Sequence, residues 1–183
     1  MKTMEQTLEE AVKFHGHLCG GQILGVRMAR LALRELGIED PAGYRDLIIY
    51  VEADRCLADA VLVTTRCTMG RRRLKWMDFG KMAATFVDIA RNRAIRIHST
   101  NVMPERRDGE DLKEAWNRFT DEELFVVRPV IVDIPKEDLP GKPLQTVPCD
   151  RCGETIFDCR QVSRDDRTLC RACADGAYYQ AVE

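Results

Sequence analysis

The sequence predicts an α+β core with a mainly antiparallel sheet, followed by a small C-terminal treble-clef-like zinc finger. Three observations carry this. Apolar residues recur at helical spacing in the first 36 residues, β-branched segments dominate from there to about residue 134, and two Cys-x2-Cys pairs lie beyond a proline-punctuated stretch.

Leu8, Ala11 and Val12 are spaced for a short helix over residues 5–13. A second helix covers residues 22–36, with Ile23, Leu24, Met28, Leu31 and Leu36 as its apolar side and Gly37 as a natural C-cap. Gly21, Gly25, Ala29 and Ala32 form a small-residue stripe on this helix, which permits close approach of another backbone, either within the chain or in the second copy of a homodimer. Residues 46–52 read as a buried strand and residues 56–65 as a helix. Strands follow over 74–79, 84–89 and 94–98, the last two joined by an Arg91-Asn92-Arg93 turn. Residues 111–119 suit an amphipathic helix, and 124–134 a strand in which Pro129 demands an edge position or a bulge. Pro135, Pro140, Gly141, Pro143 and Pro148 then interrupt all periodicity, so the expected domains are residues 1–143 and 144–183.

A hydrophobic content of 45%, a charged content of 32% and a net charge of −2 describe an ordinary globular chain. They exclude a whole-chain attraction to nucleic acid or anionic membrane. No run reaches the roughly 18 apolar residues of a membrane span, and Met1 to Glu5 lack a signal peptide's apolar core, so a cytoplasmic location is expected. Eight cysteines in a reducing compartment point to metal or redox chemistry rather than disulfides.

Two of the three histidines fall in Phe14-His15-Gly16-His17-Leu18-Cys19-Gly20-Gly21. If this run is extended, residues 15, 17 and 19 project to one side, and two nitrogens with one sulfur suit zinc or another transition metal. Cys19 also precedes a helix, where the N-terminal dipole favours a thiolate for ligation or nucleophilic attack. Cys56, between a strand and a helix, is the expected third ligand beside His17 and Cys19. On one unbroken helix Cys67 would lie about 16.5 Å from Cys56, so it reaches the site only if the chain folds back. Arg72 and Lys81, in a basic run with Arg71, Arg73 and Lys75, are candidates for holding a carboxylate- or phosphate-bearing ligand or cofactor.

The sharpest pattern is Cys149-x2-Cys152 and, after 17 intervening residues, Cys170-x2-Cys173, the spacing of a structural four-cysteine zinc site. A hairpin is expected from residues 154–159 and 160–163, a turn at Asp165-Asp166 and a helix at the second knuckle; Cys159 is expected to pack rather than ligate. Five arginines against seven acids give residues 144–183 a charge of −2. That balance argues for stabilisation or contact with a protein partner and against nucleic acid.

Phe14-His15-Gly16-His17-Leu18-Cys19, Glu52-Ala53-Asp54-Arg55-Cys56-Leu57-Ala58-Asp59-Ala60, Thr65-Arg66-Cys67-Thr68-Met69-Gly70 and Phe79-Gly80-Lys81-Met82-Ala83 occur in this order. Together they resemble the FmdE family, named for a component of formylmethanofuran dehydrogenase, over residues 5–135, and the C-terminal cysteines resemble the treble-clef finger of some members. Arg66, where the family pattern has a small residue, and Gly20-Gly21, where a proline and a glycine are common, are departures. The resemblance implies an α+β core that tends to dimerise and a link to the molybdenum- or tungsten-dependent enzyme that reduces carbon dioxide onto methanofuran. It does not by itself imply catalysis. Cys19, His17 and Asp59 are the candidate catalytic groups, with His15, Cys67 or water completing the core site. The competing expectations are a dimeric scaffold whose finger recruits a partner, and a thiol redox role for Cys19 with Cys56.

Overall fold

Thr3 and Gln6 cap each other's backbone and start α1 (Met4–His15), whose last turn closes at Gly16 in the left-handed conformation, φ 97°. Cys19 is the extended N-cap of α2 (Gly20–Leu36), and Gly37, φ 67°, ends it. After β1 (Leu47–Val51) comes α3 (Cys56–Thr65), closed by Arg66 at φ 60°. A non-glycine residue is costly there, which gives a physical reason for a small residue at this position, and the Arg66 guanidinium pairs with Glu10 at 2.5 Å. These elements belong to a computed structural model that describes residues 2–182.

The chain divides after Asp133 into two compact units. In the first, β1, β2 (Leu74–Trp76), β3 (Ala83–Asp88), β4 (Arg93–Ser99) and β5 (Phe125–Val130) form one sheet in the order β2-β1-β3-β4-β5. Only β1 and β2 are parallel. The register Ile49↔Phe86↔Ile95 aligns one face of the sheet, and Leu47, Ile49, Val51, Phe86, Ile95 and Ile97 join the helices in a single apolar core. Asn92, φ 50°, makes the expected β3–β4 turn, and β5 is an edge strand, as Pro129 demands. Two short helices, α4 (Leu112–Asn117) and α5 (Asp121–Leu124), precede it. Among the described residues, no helix is long and apolar enough to cross a membrane.

Three expectations need correction. The predicted strand over 74–79 ends at Trp76, because Met77 and Lys81 turn their N–H groups back onto the carbonyls of Val51 and Glu52. The stripe on α2 faces a helix of its own chain: a Cβ on Gly25 would lie 2.6 Å from the Ala60 Cβ and 2.7 Å from the Leu57 carbonyl oxygen. The stripe is therefore covered by α3 and gives no support to a homodimer. The boundary expected after residue 143 falls inside the second unit, where Asp138 pairs with Arg160 at 2.5 Å and Asp158 N–H donates to Gln145 O at 2.9 Å.

That second unit consists of hairpins β6 (Thr146–Pro148) with β7 (Thr155–Phe157) and β8 (Val162–Arg164) with β9 (Arg167–Leu169), then α6 (Arg171–Asp175). Residues 154–159 thus pair backwards across the first knuckle rather than with 160–163. Asp165 and Asp166, φ 51° and 59°, make the expected turn.

Gly25→Ala should destabilise the core by about 1–3 kcal/mol, the usual cost of forcing a methyl group against fixed neighbours. Gly70→Ala, where a new Cβ meets nothing within 4 Å, should stay within about 0.5 kcal/mol of wild type. Urea denaturation compares them, and equal midpoints would contradict the packing described.

Candidate metal centres

Residues 15, 17 and 19 converge, but not by strand alternation. His15 ends α1, Gly16 reverses the chain in the left-handed region, and Cys19 begins α2. One ligand atom from each of His15, His17 and Cys19 lies within 4.8 Å of the others, and the two imidazole centroids are 4.7 Å apart. His15 Nδ1 bonds Asp59 Oδ2 at 2.8 Å, while its Nε2 is buried without a hydrogen-bond partner. An orphaned buried nitrogen is costly. A histidine held by a carboxylate through one nitrogen and open at the other has the arrangement that metal-ligating histidines adopt.

Cys56, the first residue of α3, lies beside Cys19 but outside the His15, His17 and Cys19 cluster; burial first, and the neighbouring Cys19 thiol second, push the Cys56 thiol above its ordinary range. The contact depends on Gly21, where a Cβ would meet the Cys56 Cβ at 2.9 Å. Gln22, fully buried on α2, donates from Nε2 to the Cys56 carbonyl at 2.6 Å and ties the two helix starts together. Sequence reasoning missed Gln22; its signal is a polar residue beside the glycine stripe.

The remaining candidates separate. Cys67 is fully buried at the other end of the sheet, with its thiol 3.5 Å from the Leu47 carbonyl and its pKa raised by burial. It does not complete the site. The parallel register Ile49↔Leu74 likewise carries Arg72 towards the start of β1, away from Cys56. Lys81 stays at the Cys56 end, its N–H donating to Glu52 O at 2.9 Å.

In the second unit, Cys149, Cys152, Cys170 and Cys173 bring their sulfurs within 4.8 Å of one another. The Cys152 and Cys170 sulfurs are 3.9 Å apart; a tetrahedral zinc with Zn–S near 2.3 Å requires about 3.8 Å. Cys170 N–H donates to the Cys149 sulfur at 3.3 Å, and Cys173 N–H to the Cys170 sulfur at 3.4 Å. Backbone N–H groups, those of Cys152 and then Cys170 foremost, lower the Cys149 thiol to about 6. Hydrogen bonding with Cys170 leads the causes that raise Cys173 to about 12. Cys149 therefore ionises more readily than Cys173, and the donor set suits zinc. Cys159 is exposed, at φ 57°, and takes no part.

Residues 14–126 match the family model described as FmdE, molybdenum formylmethanofuran dehydrogenase operon. The chain belongs to the FmdE family. Residues 142–179 match the prokaryotic dksA/traR C4-type zinc finger. A tungsten formylmethanofuran dehydrogenase FmdE-like protein from Syntrophus aciditrophicus shares the fold, with a TM-score of 0.62 at 21% identity over 98% of this chain and 96% of that one. A probable S-adenosyl-L-methionine-binding protein of Archaeoglobus fulgidus is 30% identical over 98% of this FmdE chain, which spans 55% of that protein's length.

Replacing Cys149 and Cys152 together by serine should remove one metal equivalent and the hairpin signal of residues 134–183 in circular dichroism, while the thermal transition of the first unit stays within a few degrees. Loss of both transitions together would overturn the independence of the two folds.

Proposed function

We propose that the core of this FmdE protein holds a transition-metal ion, zinc being the first candidate, through His17, Cys19 and Cys56, with His15 as the fourth donor. The carrying observation is the buried, partnerless Nε2 of His15 beside His17 and Cys19, with Asp59 fixing the opposite nitrogen. In this proposal Asp59 is a positioning residue: its carboxylate selects the tautomer that leaves Nε2 free to ligate. His17 is more exposed than His15, so it is the donor best placed to yield its position to a ligand. A bound zinc ion would supply Lewis-acid polarisation or an activated water. Lys81, at the same end of the sheet, supplies a cation for an acidic ligand.

The family description and the name of the Syntrophus aciditrophicus protein support a further proposal, that the chain is an accessory component or enzyme working beside molybdenum- or tungsten-dependent formylmethanofuran dehydrogenase chemistry. Co-purification from native extract tests it, and a chain that elutes free of any such enzyme overturns it. A second reading, a finger that docks a protein partner, is favoured by the exposed Leu144, Phe157, Tyr178 and Tyr179 of the second unit.

Elemental analysis of the full chain should give two metal equivalents. Cys19→Ala should leave one, and Asp59→Asn should weaken the core equivalent by about 10–100-fold, the usual effect of removing a ligand's hydrogen-bond partner. Two equivalents retained by Cys19→Ala would refute the core site.

A further inference from the structure

On the face of the sheet turned away from the helices, β4 presents Arg96 and His98 side by side, two residues apart along the strand. Pairing of His98 with Ala83 on β3, whose carbonyl accepts from Glu52 N–H at 3.0 Å, brings the end of β1 across from them. Glu52, 5% exposed, takes one edge of the Arg96 guanidinium in a two-point contact, Nε to Oε1 at 2.6 Å and Nη2 to Oε2 at 2.7 Å. A buried ion pair gives little net stability because desolvation offsets the attraction. Its firm effect here is geometric: the planar group is locked in place. Arg96 Nη1 has no hydrogen-bond partner among the described residues.

Arg96, His98, Lys81, Ser99 and Asn101 line a cleft of about 430 Å³ that, among the described residues, no carboxylate lines. The volume falls in the range of small-molecule sites. His98 Nδ1 is engaged by the Ser99 carbonyl at 3.1 Å, which leaves Nε2 for a ligand. Lys81 has no acidic partner among the described residues; its ammonium lies 5.8 Å from the Phe79 ring centre. Asn101, left-handed at φ 66°, is fixed by its own N–H donating to Ser99 Oγ at 3.1 Å. A guanidinium edge, an ammonium, an imidazole and an amide therefore border one opening, with Glu52 already committed to Arg96.

We propose that this cleft binds the oxyanion group, carboxylate or phosphate, of a small acidic ligand, with Lys81 and Arg96 as its donors and His98, in its doubly protonated form, as a third. Charge-assisted bonds to the two cations supply the affinity, and the locked guanidinium sets the orientation. The site goes beyond the metal centre and does not depend on it. The two nevertheless open at the same end of the sheet, since four residues, at most about 14 Å of chain, lead from Glu52 to Cys56.

Calorimetric titration of the full chain at low salt, with inorganic phosphate alone and with malonate alone, tests the proposal. Saturable binding of either probe, one per chain and weakened by added sodium chloride, is expected, and the stronger arm distinguishes a phosphate from a carboxylate ligand. Lys81→Ala and His98→Gln, both at the protein surface, should each lower affinity about tenfold, the order of one charge-assisted hydrogen bond. Arg45→Ala, an exposed cation outside the cleft, should have no effect. Cys19→Ala should bind the anion as wild type does, which separates a failure here from a failure of the metal assignment. No saturable binding of either probe, or affinity unchanged in both Lys81→Ala and His98→Gln, would overturn the proposal.

Discussion

The approach of α2 to α3 at Gly21 and Gly25 is the constraint on which the core site depends. With side chains at those positions, the new carbon atoms would sit 2.6–2.9 Å from Ala60, Leu57 and Cys56 atoms, and the helices would have to separate. Separation would take Cys56 from Cys19, break the 2.6 Å bond from Gln22 to the Cys56 carbonyl, and carry Asp59, one turn further along α3, away from His15. The glycines and the chemistry-bearing residues are therefore one structural unit, although they are scattered along 45 residues of sequence, from 15 to 59.

Helix polarity adds to this arrangement. α2 and α3 begin at the two thiols and α1 ends at His15, so the positive ends of two helix dipoles and the negative end of a third meet at this corner. A divalent ion would lie where one helix ends and two begin. The finger reaches a similar result with less structure: backbone N–H groups directed at Cys149 do locally what whole helices do in the core.

Much of the architecture is legible in the sequence because local chemistry decides it. The helix end at Gly37, the turn at Asn92 and the edge placement of Pro129 each follow from backbone preference alone. The clustering of His15, His17 and Cys19 is also legible, but its mechanism is not: side-chain alternation and a helix–turn–helix corner place the same three residues together, and spacing does not distinguish them. What stays hidden is pairing at a distance. Nothing local tells whether a glycine stripe meets its own chain or another, that β2 runs parallel to β1 and takes Arg72 to the far end, or that residues 155–157 pair back with 146–148. Arg96 is invisible for the same reason, since its partner Glu52 lies across an intervening strand.

The finger's apolar interior holds only Cys149, Ile156 and Leu169 among its fully covered residues. So small a core cannot outweigh the conformational entropy of some fifty residues. The free energy that keeps these hairpins in register comes from the four sulfurs and the ion they close upon. Loss of the ion and loss of shape would then be a single event. Whatever surface that segment offers would exist only while the four sulfurs hold their ion.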